Sequence, residues 1–130
     1  VGDSMSTLRA DTIQSTGGGA ATLTKQTTAK SNLNFNGTGT IAVRGSFNVA
    51  SITDRGTGQF THTFVNSMSS ATDFTGTGCA QDTYPDNDGR NRMVSSWPFS
   101  ASSAYANSFD TSGNADDCAY ISSVIFGDLA

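Results

Sequence analysis

Glutamate is missing from this 130-residue chain, and several other residue types are scarce. All eleven acidic residues are aspartates, and there are only two prolines, two cysteines, one histidine and one tryptophan. Because helices are usually filled with glutamate, lysine, leucine and alanine, this composition argues against helical structure. The two cysteines lack metal-ligand spacing and have no pair of histidines to join them, so no zinc site is expected.

Long apolar runs and basic clusters are missing as well. No stretch of about 18 apolar residues occurs, so no membrane-spanning helix is expected. The net charge is −4, and the seven Lys and Arg residues form no cluster of the kind that phosphate groups require, so nucleic-acid binding is not expected. The part before Ser46 is basic and the part after Ala71 is acidic. Such a division suits docking between subunits, and ordinary solubility explains it equally well.

Serine, threonine and glycine dominate the chain, with 18, 18 and 14 copies. Threonine and aromatic residues favour strands, whereas glycine, asparagine, aspartate and serine favour turns. We therefore predict an all-β fold, a small antiparallel sandwich or barrel-like domain over residues 31–130, with an extended arm over residues 1–30. Only 35% of the residues are hydrophobic, which is thin for an independent core and favours oligomerisation.

The clearest strand signal covers residues 34–65, where three apolar-alternating runs are separated by Gly-rich turns. This pattern predicts a β-meander, with residues 46–53 as its middle strand. The last run places Phe60, His62 and Phe64 on one face. We expect His62 to be packed there. The alternative is that three copies meet on a three-fold axis to bind a metal or to change charge with pH.

Three further strands are predicted at residues 74–81, 92–99 and 118–126. The first has two glycines on one face, which predicts a bend or a close backbone approach. Pro98 predicts that the second is an edge strand or ends there, and apolar residues on both faces of the third predict a central or interface strand. Polar segments without strand signal are predicted at residues 26–31, 66–73, 82–91, 100–108 and 110–117.

Cys79 and Cys118 form a disulfide only if the strands that carry them are neighbours. We expect free buried thiols instead, since a protein assembled in a reducing cytosol keeps its cysteines reduced.

Candidate surface-contact residues lie in the polar segments. They are Tyr84, Asp86, Asp88, Arg90 and Tyr105. Tyr84 and Tyr105 are expected to be exposed in loops. Together with Trp97 and Tyr120 they suit sugar stacking, although packing in a core or a subunit interface is the commoner use of such residues.

Carboxylate pairs raise two chemical alternatives. The sequence Asp86-Asn87-Asp88-Gly89 is similar to the opening of a calcium loop, but Tyr84 and Ser95 stand where two ligands are required, so an exposed turn is predicted. Asp116-Asp117 suggests glycoside hydrolysis, which needs one carboxyl of raised pKa, yet no apolar residue flanks the pair. We expect no catalytic residues, no metal and no cofactor.

Residues 34–54 with Gly56-Thr57-Gly58 resemble a domain found in tail fibres and other appendage proteins of tailed bacteriophages. Residues 121–127 resemble the last strand of that domain. Residues 5–19 resemble the start of many short phage structural proteins. Residues 82–117 match no part of the family pattern, as expected for a variable outer surface.

The resemblance implies a virion structural protein, typically a homotrimer, assembled in the host cytoplasm and anchored to another virion component by its arm. The anchoring residues would be Leu8, Arg9, Ile13 and Leu23. The β-domain would face outward and touch the host surface, without catalytic residues. Two alternatives remain: a lectin-like domain whose loops 82–92 and 110–117 bind host glycans, and a polysaccharide-cleaving enzyme.

Overall fold

A computed structural model describes residues 16–17, 28–82 and 92–130 of the chain. Within these residues the chain forms two four-stranded antiparallel sheets, so the all-β prediction is confirmed. The strands are β1 (Ala29–Asn36), β2 (Ala42–Phe47), β3 (Val49–Gly56), β4 (Gln59–Phe64), β5 (Thr75–Gln81), β6 (Met93–Ser100), β7 (Ser103–Phe109) and β8 (Tyr120–Phe126). The first sheet has the order β2-β1-β8-β5 and the second the order β3-β4-β7-β6.

The two sheets pack against each other through the apolar residues of their inner faces. Phe35 on β1 and Phe60 on β4 meet edge to face, with ring centroids 5.0 Å apart. Around them lies one core cluster, made of Leu33, Phe35, Phe60, Ala106, Cys118 and Ile121. A second cluster contains Phe64, Met68, Phe74, Ala104 and Ile125. Both clusters draw on both sheets, which is the arrangement of a sandwich.

The predicted β-meander is wrong, because the chain changes sheets in the middle of it. β2 pairs with β1 in the first sheet, whereas β3 pairs with β4 in the second. Residues 46–53 are therefore the end of one strand and the start of another, separated by Asn48. Asn48 has a φ of 56°, a left-handed conformation that interrupts a strand and that asparagine tolerates better than most residues.

The side chain of Asn48 holds this change of sheet in place. Its Nδ2 donates hydrogen bonds to the carbonyl oxygens of Lys30 (2.9 Å) and Asn66 (3.0 Å). Its Oδ1 accepts a hydrogen bond from the backbone N–H of Asn66 (2.6 Å). One buried side chain thus links the corner between the sheets, the point between β2 and β3 where the chain changes sheets, to the start of β1 and to the segment that follows β4.

A strand also occupies most of a segment that was predicted to be a polar connection. β7 covers residues 103–109 and pairs with β4 and β6, so it lies inside the second sheet rather than in a loop. Its inward side chains include Ala104 and Ala106, both fully buried. These residues are too small to produce a strong apolar signal. β1 likewise starts at Ala29, inside the predicted connection at residues 26–31.

The other three predicted strands are confirmed, with small shifts at their ends. β6 is an edge strand and contains Pro98, as expected. β8 is a central strand between β1 and β5, which explains why both of its faces carry apolar residues.

The close backbone approach predicted for β5 is also confirmed. A Cβ atom built on Gly76 would lie 2.9 Å from both Ser96 Cβ and Ile125 Cδ1. A Cβ atom on Gly78 would lie 2.8 Å from Val94 Cγ1. The two glycines therefore let β5 of the first sheet pack closely on β6 of the second.

Replacing Gly76 by alanine is expected to lower the free energy of unfolding by about 1–3 kcal/mol, because the added methyl group has no room beside β6. Urea denaturation of wild type and variant measures the difference. Gly45→Ala is the matched control, since nothing lies within 4 Å of a Cβ at that strand position. It should change stability by less than about 0.5 kcal/mol. Equal losses in the two variants would contradict the close packing of β5 on β6.

Both cysteines are free, as predicted. Cys118 is buried in the core and burial raises the pKa of its thiol, whereas Cys79 is exposed on β5, so the expected burial holds for only one of them.

Candidate functional site

An aromatic patch lies on the outer face of the second sheet. Trp97 of β6 and Tyr105 of β7 stand opposite each other in the strand register, with ring centroids 5.2 Å apart. The ring of Phe99 meets that of Tyr105 edge to face at 5.0 Å. Trp97 and Phe99 remain 39% and 49% exposed. We call these three residues the aromatic patch.

Phe99 lies two residues after Trp97 in β6, so strand alternation places both side chains on the same face. The register between β6 and β7 shifts between Pro98 and Ser100, so that Phe99 is the extra residue of a bulge. The bulge leaves Phe99 without a partner in the strand register, and its ring contacts Tyr105. Met93, an even number of residues before Trp97, lies on the same face and is also exposed.

Arg55 extends the patch across the sheet. Its guanidinium carbon lies 5.0 Å from the centre of the Phe99 ring, within the range of a cation–π contact. Its Nε donates a hydrogen bond to Thr61 Oγ1, which fixes the direction of the side chain. A positive group therefore borders the exposed rings.

The structure corrects the position predicted for Tyr105. This residue lies in β7 and is half-buried, not exposed in a loop. It joins Trp97, which the sequence had also marked as a possible stacking residue. Phe99 and Arg55 were missed as site residues, because their contacts with Tyr105 and with each other join strands that lie apart in the sequence. A host contact through Tyr105 stays a prediction.

The remaining candidate residues of the sequence lie outside the described residues. They are Leu8, Arg9, Ile13, Leu23, Tyr84, Asp86, Asp88 and Arg90.

Asp82 and Arg92, the described residues on either side of 83–91, form an ion pair. Arg92 Nη2 lies 3.0 Å from Asp82 Oδ2, and Arg92 Nη1 lies 2.8 Å from Asp116 Oδ2. The hydrogen bond with Asp82 raises the pKa of Arg92 above its ordinary value. The Arg92 side chain is only 12% exposed, and its two ion pairs link Asp82 and Arg92 to Asp116 in the loop that follows β7.

Polar groups in the loop at residues 110–117 bond largely to one another. The Asp110 carboxylate accepts hydrogen bonds from the backbone N–H groups of Ser112 (2.8 Å) and Asn114 (2.9 Å) and from Asn114 Nδ2 (3.0 Å). These bonds, the one from the Asn114 side chain first, lower the pKa of Asp110. Asp117 accepts a hydrogen bond from the N–H of Gly58 (2.6 Å). The loop is thus internally braced, and glycan binding by it stays a prediction.

His62 is a core residue, as predicted. It is 1% exposed, and its ring meets Phe64 edge to face at 5.5 Å. Neither ring nitrogen has a hydrogen-bond partner among the described residues, and burial lowers the pKa to about 4. A metal shared by three copies of His62 is incompatible with this position. In the described part of the chain, no three His, Cys, Asp or Glu side chains are grouped as metal ligands.

A groove of about 490 Å³ runs over the outer face of the first sheet. Its lining includes Asn32, Asn34, Gly45, Phe47, Ser122 and Val124, and none of its lining residues is charged. Phe47 stands opposite Asn32 in the register and is 58% exposed. The molecule therefore carries two distinct surfaces, an aromatic patch on one sheet and an uncharged groove on the other.

No protein-family model, no curated protein and no solved structure matches this chain. Nothing in the described residues forms a helix long and apolar enough to cross a membrane.

Proposed function

We propose that this chain is a structural protein of a bacteriophage virion that assembles as a homo-oligomer, a trimer, through the aromatic patch. The observation that carries the proposal is the exposure of Trp97 and Phe99 on the outer face of a sheet. Contiguous exposed apolar surface on a small domain marks an interaction site. Tryptophan, tyrosine and arginine are also the residues that contribute most to binding energy at protein interfaces.

The composition of the patch suits a subunit contact. Trp97, Phe99 and Tyr105 offer a rigid apolar surface, and Arg55 at its edge offers a charged group that is already positioned by Thr61. Interface cores are enriched in aromatic residues and arginine and depleted in lysine and acidic residues. Only 35% of the residues are hydrophobic, which limits the size of the core. Burial of the patch between subunits would add to the apolar surface that the protein removes from water.

The assignment to a virion is supported by the resemblance of residues 34–58 to phage appendage domains. In the structure these residues span the last three residues of β1, all of β2 and β3, and the turn before β4. The proposed virion contact is the N-terminal arm, and no catalytic role is proposed.

Light scattering of the purified protein is expected to give the mass of a trimer. The double variant Trp97→Ser/Phe99→Ser should be monomeric, because it loses the apolar rings of the contact while its inner core is untouched. Mass spectrometry of purified phage particles should detect the wild-type protein and find the double variant depleted by about tenfold or more, since about 1.4 kcal/mol of contact energy suffices for that change.

Phe47→Ser is the matched control, because it removes an exposed ring from the opposite sheet. This variant should remain trimeric and enter particles normally. A wild-type protein that is monomeric at about 100 μM, where a functional homo-oligomer is expected to be populated, would refute the oligomer. Particles that lack the wild-type protein would refute the virion assignment.

A further inference from the structure

We propose that the groove on the outer face of the first sheet binds a neutral oligosaccharide. Asn32 and Asn34 would bond its hydroxyl groups, and Phe47 would cover an apolar face of a sugar ring. The site lies on the sheet opposite the aromatic patch and on described strands. It therefore does not depend on the proposed assembly or on the loops at residues 82–92 and 110–117.

The two asparagines form a ready-made polar floor. They are two residues apart on β1, so their side chains emerge on the same outer face about 7 Å from each other. Both are exposed, and within residues 28–82 and 92–130 neither side-chain amide has a hydrogen-bond partner. An amide offers one acceptor and two donor hydrogens. It therefore matches a hydroxyl group, which also both donates and accepts.

The walls of the groove are partly apolar, with Ser122 across from Asn34 as a polar exception. Phe47 stands across from Asn32 on β2, and Val124 stands across from Asn32 on β8. Gly45 lies across from Asn34 and has open space above it, because nothing lies within 4 Å of a Cβ at this position. Ligand sites combine such apolar walls with a few placed polar groups. A sugar ring presents the same combination, with hydroxyls at its edge and C–H groups on its faces.

The backbone of the floor is not available to a peptide strand. β1 is paired with β2 on one side and with β8 on the other, so its N–H and C=O groups are used in the two ladders. Peptides that bind by strand addition need an unpaired edge. The floor strand β1 can therefore recognise an occupant only through its side chains.

The lining of the groove offers no charged group that could pair with an ionic ligand. Arg44, the neighbour of Gly45, is held away by two contacts: its guanidinium carbon lies 4.1 Å from the centre of the Tyr120 ring, and its Nη1 donates to the Ala119 carbonyl (2.6 Å). A neutral saccharide leaves no charge unpaired in such a site.

The test is a titration of the ¹⁵N-labelled full chain, followed by amide chemical shifts, with three neutral oligosaccharides. The probes are a β-1,4-linked glucose hexamer, an α-1,4-linked glucose heptamer and an N-acetylglucosamine tetramer. At least one should bind with a Kd of about 1 mM or lower and shift the amides of β1 and β2. Asn34→Ala and Phe47→Ala should each raise that Kd by about tenfold or more.

Asn114→Ala and Trp97→Ala are the matched controls, an amide in the loop at 110–117 and an aromatic residue in the patch. Both should bind the probe like wild type. Binding that survives Asn34→Ala but is lost in Asn114→Ala would overturn the groove and favour the loop. Failure of all three probes at about 10 mM, well above the expected Kd, would also overturn it. Far-UV circular dichroism of each variant separates lost binding from lost folding, and the oligomer measurements above are independent of these outcomes.

Discussion

Replacing Asn48 by alanine is expected to lower the free energy of unfolding by about 3 kcal/mol or more. Two costs add up at this position. Alanine must adopt the left-handed φ of 56°, which is unfavourable for a residue with a Cβ and no polar side chain. The carbonyl oxygens of Lys30 and Asn66 also lose the donor that now reaches both of them.

The two costs can be separated by a second substitution. Asn48→Gly keeps the left-handed conformation without strain and loses only the hydrogen bonds, so its destabilisation should be smaller than that of Asn48→Ala. Urea denaturation, with the midpoint and slope fitted for each variant, measures all three proteins.

Asn34→Ala is the control for the asparagine itself, because this exposed residue has no side-chain partner in the described part of the chain. It should change stability by less than about 0.5 kcal/mol. If Asn48→Ala proved as mild as Asn34→Ala, the corner between the sheets would not depend on the Asn48 side chain.

Acidification is expected to destabilise the protein through His62. The unfolded chain takes up a proton at this residue below about pH 6.5, whereas the folded chain excludes it until about pH 4, because burial lowers the pKa. The free energy of unfolding should therefore be fully retained above pH 6.5 and fall as the pH drops through this window. The slope is about 1.4 kcal/mol per pH unit, and the total loss is about 3 kcal/mol.

Unfolding free energies of wild type and His62→Leu, measured at intervals from pH 7.5 to pH 4, test this expectation. The variant lacks the imidazole, and the raised pKa of the Cys118 thiol keeps that group neutral from pH 7.5 to pH 4, so the stability of the variant should change far less across the window. Asp110 does not add to the pH dependence in this window. Its pKa in the folded protein is lowered from the ordinary value of 3.8, so its contribution to the free energy of unfolding is lost only below that pH. Parallel pH profiles for the two proteins would show that His62 is not the source of acid sensitivity.

Asn48 and His62 each lie next to residues of one of the two surfaces, the groove and the aromatic patch. Asn48 lies at the end of β2, directly after Phe47 of the groove, so the corner that it stabilises also positions one wall of the proposed sugar site. His62 lies on the inner face of β4, next to Thr61, to which Arg55 of the patch border is hydrogen-bonded. Changes at either core position should therefore be checked for folding before they are interpreted as effects on binding.

The local sequence pattern was sufficient wherever neighbouring residues determine that a segment is a strand and on which face of it each side chain lies. The alternation of Phe60, His62 and Phe64 predicted a buried face on β4, and all three side chains are buried. Glycines on one face of β5 predicted a bend or a close backbone approach, and the structure shows the approach. Pro98 predicted an edge or the end of a strand, and the structure shows an edge. These features depend on the direction of alternate side chains and on backbone sterics, which a short segment determines by itself.

Pattern failed where the outcome depends on which strands pair. Alternation through residues 46–53 continued across Asn48, and only the hydrogen bonds from Asn48 to Lys30 and Asn66 show that the chain turns into the other sheet there. β7 was missed because Ala104 and Ala106 are small, and their burial results from pairing with β4 and β6. The contact of Trp97 with Tyr105 follows from the same pairing.

By itself, the sequence determined an all-β chain and a buried aromatic face around His62. It limited the β5 glycines to a bend or a close approach, and Pro98 to an edge strand or a strand end. The tertiary structure decided the division of the strands between two sheets, the inclusion of β7 in the second sheet, and the placement of an aromatic patch and an uncharged groove on opposite faces. The physical reason is that side-chain alternation is a local property of two successive residues. Strand pairing, in contrast, joins residues far apart in the chain and is selected by the total burial and hydrogen bonding of the folded molecule.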